Sequence, residues 1–305
     1  MSTPKNLVVL GGTGNTGTVL VHRLLALGHH VTAVARPSAR LDALSQAGAT
    51  AAAGNLQDVS FLTAALRGAD AAFLMVPAPD TKAPDPLNLY DQQGMLIAQA
   101  VRDSGLRQAV QLSSLGADQP AGTGPILGLH HQEARLRAIE GLAVAFLRPA
   151  YLMENLLANV GMIQHLGIIG SATRPDLPLP MVATQDIAAK AAELLDAGIV
   201  DHHAVHYLLG PRNYSMQEAT TIIGQAIGRP ELPYVPFSYE DAKKGMLGVD
   251  MSERMADLYN ELTHTMNEEK AAMHTERTAA SITPTTLEEF VQKVFVPAFR
   301  QTTAG

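Results

Sequence analysis

The sequence predicts an α/β protein: a doubly wound parallel sheet in its first half and a smaller α+β lobe in its second. Three observations predict this. Short apolar runs alternate with helical patterns of about a dozen residues, the rhythm of strands joined by crossover helices. A glycine-rich turn, Gly11-Gly12-Thr13-Gly14-Asn15-Thr16-Gly17, falls between the first strand and the first helix. The alternation breaks after Arg148-Pro149. The 305 residues, 47% of them hydrophobic, suffice for a full core. At about 150 residues per domain, two intimately packed units are expected, residues 1–150 and 151–305.

Six strands are predicted in the first unit: Asn6 to Leu10, His30 to Ala35, Thr50 to Ala53, Ala71 to Val76, Gln108 to Ser113 and Ala143 to Leu147. They are rich in Val, Ala, Leu and Phe, as strands buried on both faces tend to be. The first helix carries Leu20, Leu24 and Leu27 on one face and ends at Gly28, a natural left-handed cap. Further helices are predicted over Ser60 to Arg67, Leu87 to Ser104 and Leu129 to Ile139. In the second unit, prolines from Pro175 to Pro236 punctuate shorter elements, among them a strand at Val205 to Leu209. A closing amphipathic helix is predicted over Thr285 to Phe299, with Leu287, Phe290, Val291 and Val294 on one face. The methionines from Met246 to Met273 recur among helix formers and predict a helical lobe or lid packed against a pocket.

Composition excludes several classes. Lys and Arg number 22 against 29 Asp and Glu, and no basic cluster could neutralise a run of phosphates, so direct nucleic-acid binding is not expected. No uncharged apolar run reaches the ~18 residues of a membrane span. With no Cys there is no disulfide, thiolate nucleophile or iron–sulfur cluster, and Met1 to Lys5 carries no signal-peptide pattern; a cytoplasmic location is the expectation.

The turn satisfies both GxGxxG (Gly12, Gly14, Gly17) and GxxGxxG (Gly11, Gly14, Gly17). Glycine is needed because so tight a turn visits positive φ, because a Cβ would hold the backbone away from a pyrophosphate, and because helix and strand must pack closely. The helix N-terminus then offers unpaired N–H groups to the phosphates. A Rossmann-type dinucleotide site follows. At the end of the second strand, where an NAD site places an acid on the ribose, the chain reads Ala33-Val34-Ala35-Arg36, with no acid before Asp42. A carboxylate repels a 2′-phosphate and a guanidinium binds it, so Arg36, with Arg40 or Ser38 nearby, favours NADP(H), NAD(H) remaining compatible.

These residues resemble the short-chain dehydrogenase/reductase superfamily in its atypical NmrA-like branch, which includes quinone and triphenylmethane reductase-like proteins and NADP-sensing regulators. The resemblance rests on the GGTGNTG turn, Gly54-Asn55-Leu56-Gln57-Asp58, Leu112-Ser113-Ser114, the segment from Leu147 to Asn155 and Thr285 to Phe290. It implies that Gly11, Thr13, Gly14, Asn15, Thr16 and Gly17 line the pyrophosphate, Arg36 the 2′-phosphate, and Asn55 and Leu56 the adenine side. It further implies that Val76 and Pro77 pass under the cofactor, and that Ser113, Pro149 and Tyr151 approach the nicotinamide. Asn55 departs from the Asp often found there in this branch.

The superfamily's usual proton donor is a Tyr with a Lys four residues later, a phenol tuned by a neighbouring cation. Here no Tyr lies between Tyr90 and Tyr151 and no Lys between Lys82 and Lys190, so no register restores the pair on the helix after the fifth strand. A literal YxxxK at Tyr239 to Lys243 lies in the second unit and reads as a chance match on a surface helix. Two functions are open. As an enzyme, the protein transfers hydride from NADPH to a small acceptor whose reduced anion is already stabilised, such as a quinone or dye. Ser113, His130, His131 and Tyr151 are then the candidate catalytic groups, His because it titrates near neutrality, and Tyr151, Met153 and Asn155 the candidate acceptor contacts. Leu152, Met153, Leu156, Leu157, Met162 and Ile163 could wall an apolar pocket. As a regulator, it senses NADP(H) and binds a protein partner. A homodimer is compatible with either. The loop Asp80 to Pro86 could border the site, and Asp201-His202-His203 with His206 reads as a polar turn rather than a metal site, so no metal is expected.

Overall fold

The computed structural model describes residues 3–268 and 276–303. The first half folds as β1 (Asn6–Leu10), α1 (Asn15–Ala26), β2 (His30–Ala35), α2 (Ala39–Gln46), β3 (Thr50–Ala53), α3 (Val59–Leu66), β4 (Ala71–Leu74), α4 (Pro86–Ser104), β5 (Gln108–Leu112), α5 (Leu127–Arg137) and β6 (Ala143–Pro149). Successive side chains of β1 serve opposite cores. Leu7 and Val9 pack with Leu20 and Leu24 of α1, while Val8 and Leu10 pack with Leu62, Leu66, Ile97 and Val101 of α3 and α4. Alternation with both faces covered is what a central parallel strand requires.

The chain then runs through β7 (Tyr151–Leu152), α6 (Val160–Leu166), β8 (Ile169–Ser171), β9 (Leu179–Val182), α7 (Thr184–Ala197) and β10 (Val205–Leu208). It ends with β11 (Asn213–Tyr214), α8 (Met216–Ala226), β12 (Tyr234–Pro236), α9 (Tyr239–Gly248), α10 (Glu253–Asn267), α11 (Leu287–Phe290) and α12 (Val296–Thr303). The central sheet has seven strands in the order β10-β6-β5-β4-β1-β2-β3, all parallel. The chain reverses its direction of travel between β1 and β4. In such sheets the crevice at the carboxyl ends beside that reversal is the ligand site. No helix among the described residues is long and apolar enough to cross a membrane.

Four details differ from the sequence-based expectation. The strand near Val205, assigned to the smaller lobe, pairs in parallel with β6, Tyr207 opposite Arg148, and completes the main sheet. Ile187, Ala188, Ala191 and Leu195 of α7 join the core beneath α1, so residues 184–208 pack with the first unit and the sheet is not closed by residue 150. Leu27 is 45% exposed; the buried face of α1 is Leu20, Val21 and Leu24. In the closing helix a π-turn at Val291–Phe295 adds a residue to the repeat, which rotates Phe295 inward (fully buried) and leaves Val294 39% exposed.

The second lobe has its own core of Met153, Leu156, Ile163, Met181, Tyr214, Ile223, Phe290 and Phe295 under two small sheets. It is locked to α7 at two points. Glu154 accepts hydrogen bonds from the Thr184 amide (2.9 Å) and hydroxyl (2.6 Å), placing a carboxylate at the α7 N-terminus. Asp186 accepts from the Thr285 amide (3.0 Å) and hydroxyl (2.7 Å).

Candidate active site

The glycine turn is built as its sequence requires. Gly11 has φ +69°, and its carbonyl accepts the Gly14 amide at 2.9 Å. Gly14 stands at the N-cap of α1, and no side chain caps that helix. Its first amides therefore remain available to an anion. Beside the turn, at the carboxyl ends of β1, β2 and β4, lies a cavity of about 530 Å³. It is lined by Gly11, Thr13, Gly14, Arg36, Asn55, Leu56 and Pro77, all expected from the sequence, and also by Gln57, Met75, Asp80 and Gln93. β4 ends at Leu74, two residues earlier than expected, which frees Met75 and Pro77 to form this wall.

The residues fit a dinucleotide. Arg36 is exposed at the rim and makes no ion pair among the described residues. Ser38 is spent capping α2 through the Leu41 amide, and neither it nor Arg40 lines the cavity. Among the described residues, none donates a hydrogen bond to the Gln93 side-chain oxygen, which is buried against the cavity, an orphan that a bound group would satisfy. Asn55 folds back in an Asx turn, accepting the Gln57 amide at 3.0 Å. Asn15, Thr16 and Gly17 form the first turn of α1 rather than the cavity wall, and Val76 is buried in the core.

A second cavity, about 240 Å³, opens at the carboxyl ends of β5 and β6. Tyr151 and Asn155 line it, as expected. Burial pushes the Tyr151 phenol up to about 12. Met153 does not line it; like Leu156 and Ile163 it is fully buried in the second core, because the 3-10 turn Met153–Asn159 rotates that stripe inward. Of the expected apolar wall Leu152 does line the cavity; the rest of the wall comes from Leu115 and the run Leu177 to Pro180, and from Tyr259, Leu262 and Met266 of α10. The methionine-bearing helix thus packs against a pocket, as its composition suggested; Met273 lies outside the described residues.

Ser113 and the two histidines stand elsewhere. The Ser113 hydroxyl donates to Glu133 (2.6 Å) inside a buried network. Glu133 also accepts from Arg148 Nε (2.9 Å) and Nη2 (2.8 Å) and from Arg137 (3.2 Å), while Arg148 Nη1 donates to the Tyr207 hydroxyl at 3.0 Å. Burial alone would lower the Arg148 pKa, but hydrogen bonding and attraction from Glu133 raise it, so the guanidinium stays charged. The network ties β5, β6, β10 and α5 together directly below the cleft. His130 bonds the Ala117 carbonyl (2.9 Å), and His131 bonds Asp91 of α4 (2.9 Å), which also takes Arg135 at 2.7 Å. Ser113, both histidines and Pro149 line neither cavity. Tyr239 and Lys243 belong to an α9 that buries no residue; Lys243 pairs with Glu253 and Asp257, and the Tyr239 hydroxyl bonds Asn267.

Comparison with known proteins gives the same architecture. The chain is 30% identical over 265 residues to the NAD(P)H azoreductase of Xenophilus azovorans, covering 84% of this chain and 85% of that one. Its fold superposes on the NADPH-dependent quinone oxidoreductase of Escherichia coli in complex with NADPH, with a TM-score of 0.77 at 22% identity over 95% of this chain and 99% of that one. It superposes on the triphenylmethane reductase of Citrobacter sp., complexed with NADP(H), with a TM-score of 0.76 at 18% identity over 94% and 99%. The NmrA-like family model matches residues 3–291, and the chain belongs to that family.

Proposed function

We propose that the protein is an NADP(H)-dependent oxidoreductase that delivers hydride to a small apolar or conjugated acceptor without a Tyr-x-x-x-Lys pair. The observation that carries this reading is the pairing of two cavities along one edge of the sheet: a glycine-lined one with a free guanidinium, and an apolar one with phenol groups. When bound, the reduced nicotinamide would supply a proton and two electrons together, as hydride. The uncapped first-turn amides of α1 would hold the diphosphate, Arg36 would hold the 2′-phosphate, and Met75 and Pro77 would line the cofactor's cavity. Tyr151 keeps its proton at neutral pH, so it donates a hydrogen bond to the acceptor atom on which negative charge gathers; it does not act as a base. The acceptor takes its second hydrogen as a proton from water. His130 ties α5 to the turn after β5, His131 ties it to α4, and neither carries a step. The family's dye- and quinone-reducing members, named as such, support the same acceptor class.

The test is to mix the protein with NADPH and a panel of quinones, azo dyes and triphenylmethane dyes and to follow the reduced-nicotinamide absorbance. Turnover with at least one acceptor is expected. Tight NADPH binding with no turnover across the panel would overturn the enzyme reading in favour of a cofactor sensor with a protein partner.

Arg36→Ala is expected to weaken NADPH binding about 10- to 100-fold, the worth of a charge-assisted contact to phosphate, and to leave NADH binding within about twofold. Titration of both nucleotides by calorimetry reads the ratio; equal losses would remove the basis for NADP selection.

A further inference from the structure

We propose that Tyr259 of α10 is a specificity-determining residue that hydrogen-bonds an uncharged, carbonyl-bearing acceptor, in a cavity that rejects acceptors carrying a formal charge. This rests on the reading above that the apolar cavity takes the acceptor. Among the described residues, no Asp, Glu, Lys, Arg or His lines that cavity. Its polar groups are Ser114, Tyr151, Asn155 and Tyr259. The Ser114 hydroxyl is spent on the Leu115 carbonyl at 3.0 Å. The hydroxyls of Tyr151 and Tyr259 have no hydrogen-bond partner among the described residues, so two neutral phenols from different elements stand ready to donate into one apolar space.

Tyr259, Leu262 and Met266 occur at i, i+3 and i+7, one face of α10, and that face forms the cavity wall. α10 is pinned near both ends. At its start the Ser252 amide donates to Thr81 (2.8 Å), and Lys82 pairs with Asp250 in the preceding turn. Toward its end the Thr265 hydroxyl donates to the Gly122 carbonyl (2.5 Å), and Asn267 accepts the Arg174 amide (2.8 Å). Tyr259 is thereby held in place before any acceptor arrives, which lowers the entropic cost of the bond it makes. Tyr259 is also close enough to Tyr90 to affect its ionisation, and the Tyr90 hydroxyl donates to the Val76 carbonyl next to the nucleotide cavity. At about 240 Å³ the cavity falls below the about 300–1,000 Å³ of drug-sized sites, which suits one or two fused rings. A sulfonate or quaternary ammonium would lose its hydration there with no counter-charge to replace it.

The experiment compares 1,4-naphthoquinone with its 2-sulfonate on the NADPH-loaded enzyme, and separately titrates both quinones by calorimetry into protein saturated with NADP⁺. Expected for the wild type is kcat/KM at least about 100-fold higher, and binding correspondingly tighter, for the uncharged quinone. Tyr259→Phe should raise KM and Kd for naphthoquinone about tenfold with the NADPH Kd unchanged, the loss of one hydrogen bond. Leu262→Arg should shift the preference toward the sulfonate by at least tenfold. Equal handling of the two quinones by the wild type, or an unchanged naphthoquinone Kd in Tyr259→Phe, overturns the proposal. If neither quinone nor any dye is reduced while naphthoquinone still binds in the expected order, the oxidoreductase reading fails and the assignment of the cavity stands.

Discussion

Glu133→Ala is expected to destabilise the fold by about 3–5 kcal/mol, the cost of leaving a buried charge without its partner. Glu133 is 3% exposed and Arg148 6% exposed, and Glu133 accepts four hydrogen bonds in all, from Arg148, Ser113 and Arg137. Truncation strands the Arg148 guanidinium between β6 and β10 with only Tyr207 and a 3.4 Å contact to Asp118. Chemical denaturation checks the size of the loss. A double variant, Glu133→Leu with Arg148→Met, should recover most of it, because replacing both partners with apolar groups removes the stranded charge. A single-variant loss below about 1 kcal/mol would mean that water reaches the network and that it does not hold the strand ends.

Gly17→Ala should abolish measurable nucleotide binding while leaving most of the fold intact. A Cβ at position 17 would lie 2.2 Å from the Gly11 carbonyl oxygen and 3.0 Å from the Gly12 Cα, both backbone, so α1 must move off the turn. Overpacking of this kind costs about 1–3 kcal/mol, and the displaced helix no longer aims its amides at the diphosphate. Gly28→Ala is the control. Gly28 has φ +88° but nothing within 4 Å of where an added methyl would sit, so it should cost about 1 kcal/mol of backbone strain with no change in NADPH affinity. Similar NADPH affinities for the two variants would show that close helix packing at the turn is not what forms the site.

The legible parts of the chain were those set by local physics. The strands β1, β2 and β3 match their expected bounds because apolar runs between glycine turns leave little choice, and the glycine turn declares itself because its geometry admits few other residues. β10 was misplaced because strand pairing is a long-range choice; a four-residue run after a polar turn does not state which sheet it joins. Ser113 sits where a catalytic hydroxyl would be sought, yet its partner Glu133 lies twenty residues away on a helix, and no spacing rule links them. The acceptor wall was half legible: Tyr151 and Asn155 follow from the segment after β6. Tyr259 comes from a helix more than a hundred residues later in the chain, brought in only when the second lobe folds over the strand ends.

Calorimetric titration of the wild-type protein with NADPH and with NADH tests the main claim most directly. Saturable one-to-one binding of NADPH, at least about tenfold tighter than that of NADH, is expected from a glycine turn that holds the diphosphate and an Arg36 that reads the 2′-phosphate. Absence of binding heat with either nucleotide on folded protein, or equal affinities for the two, would contradict it.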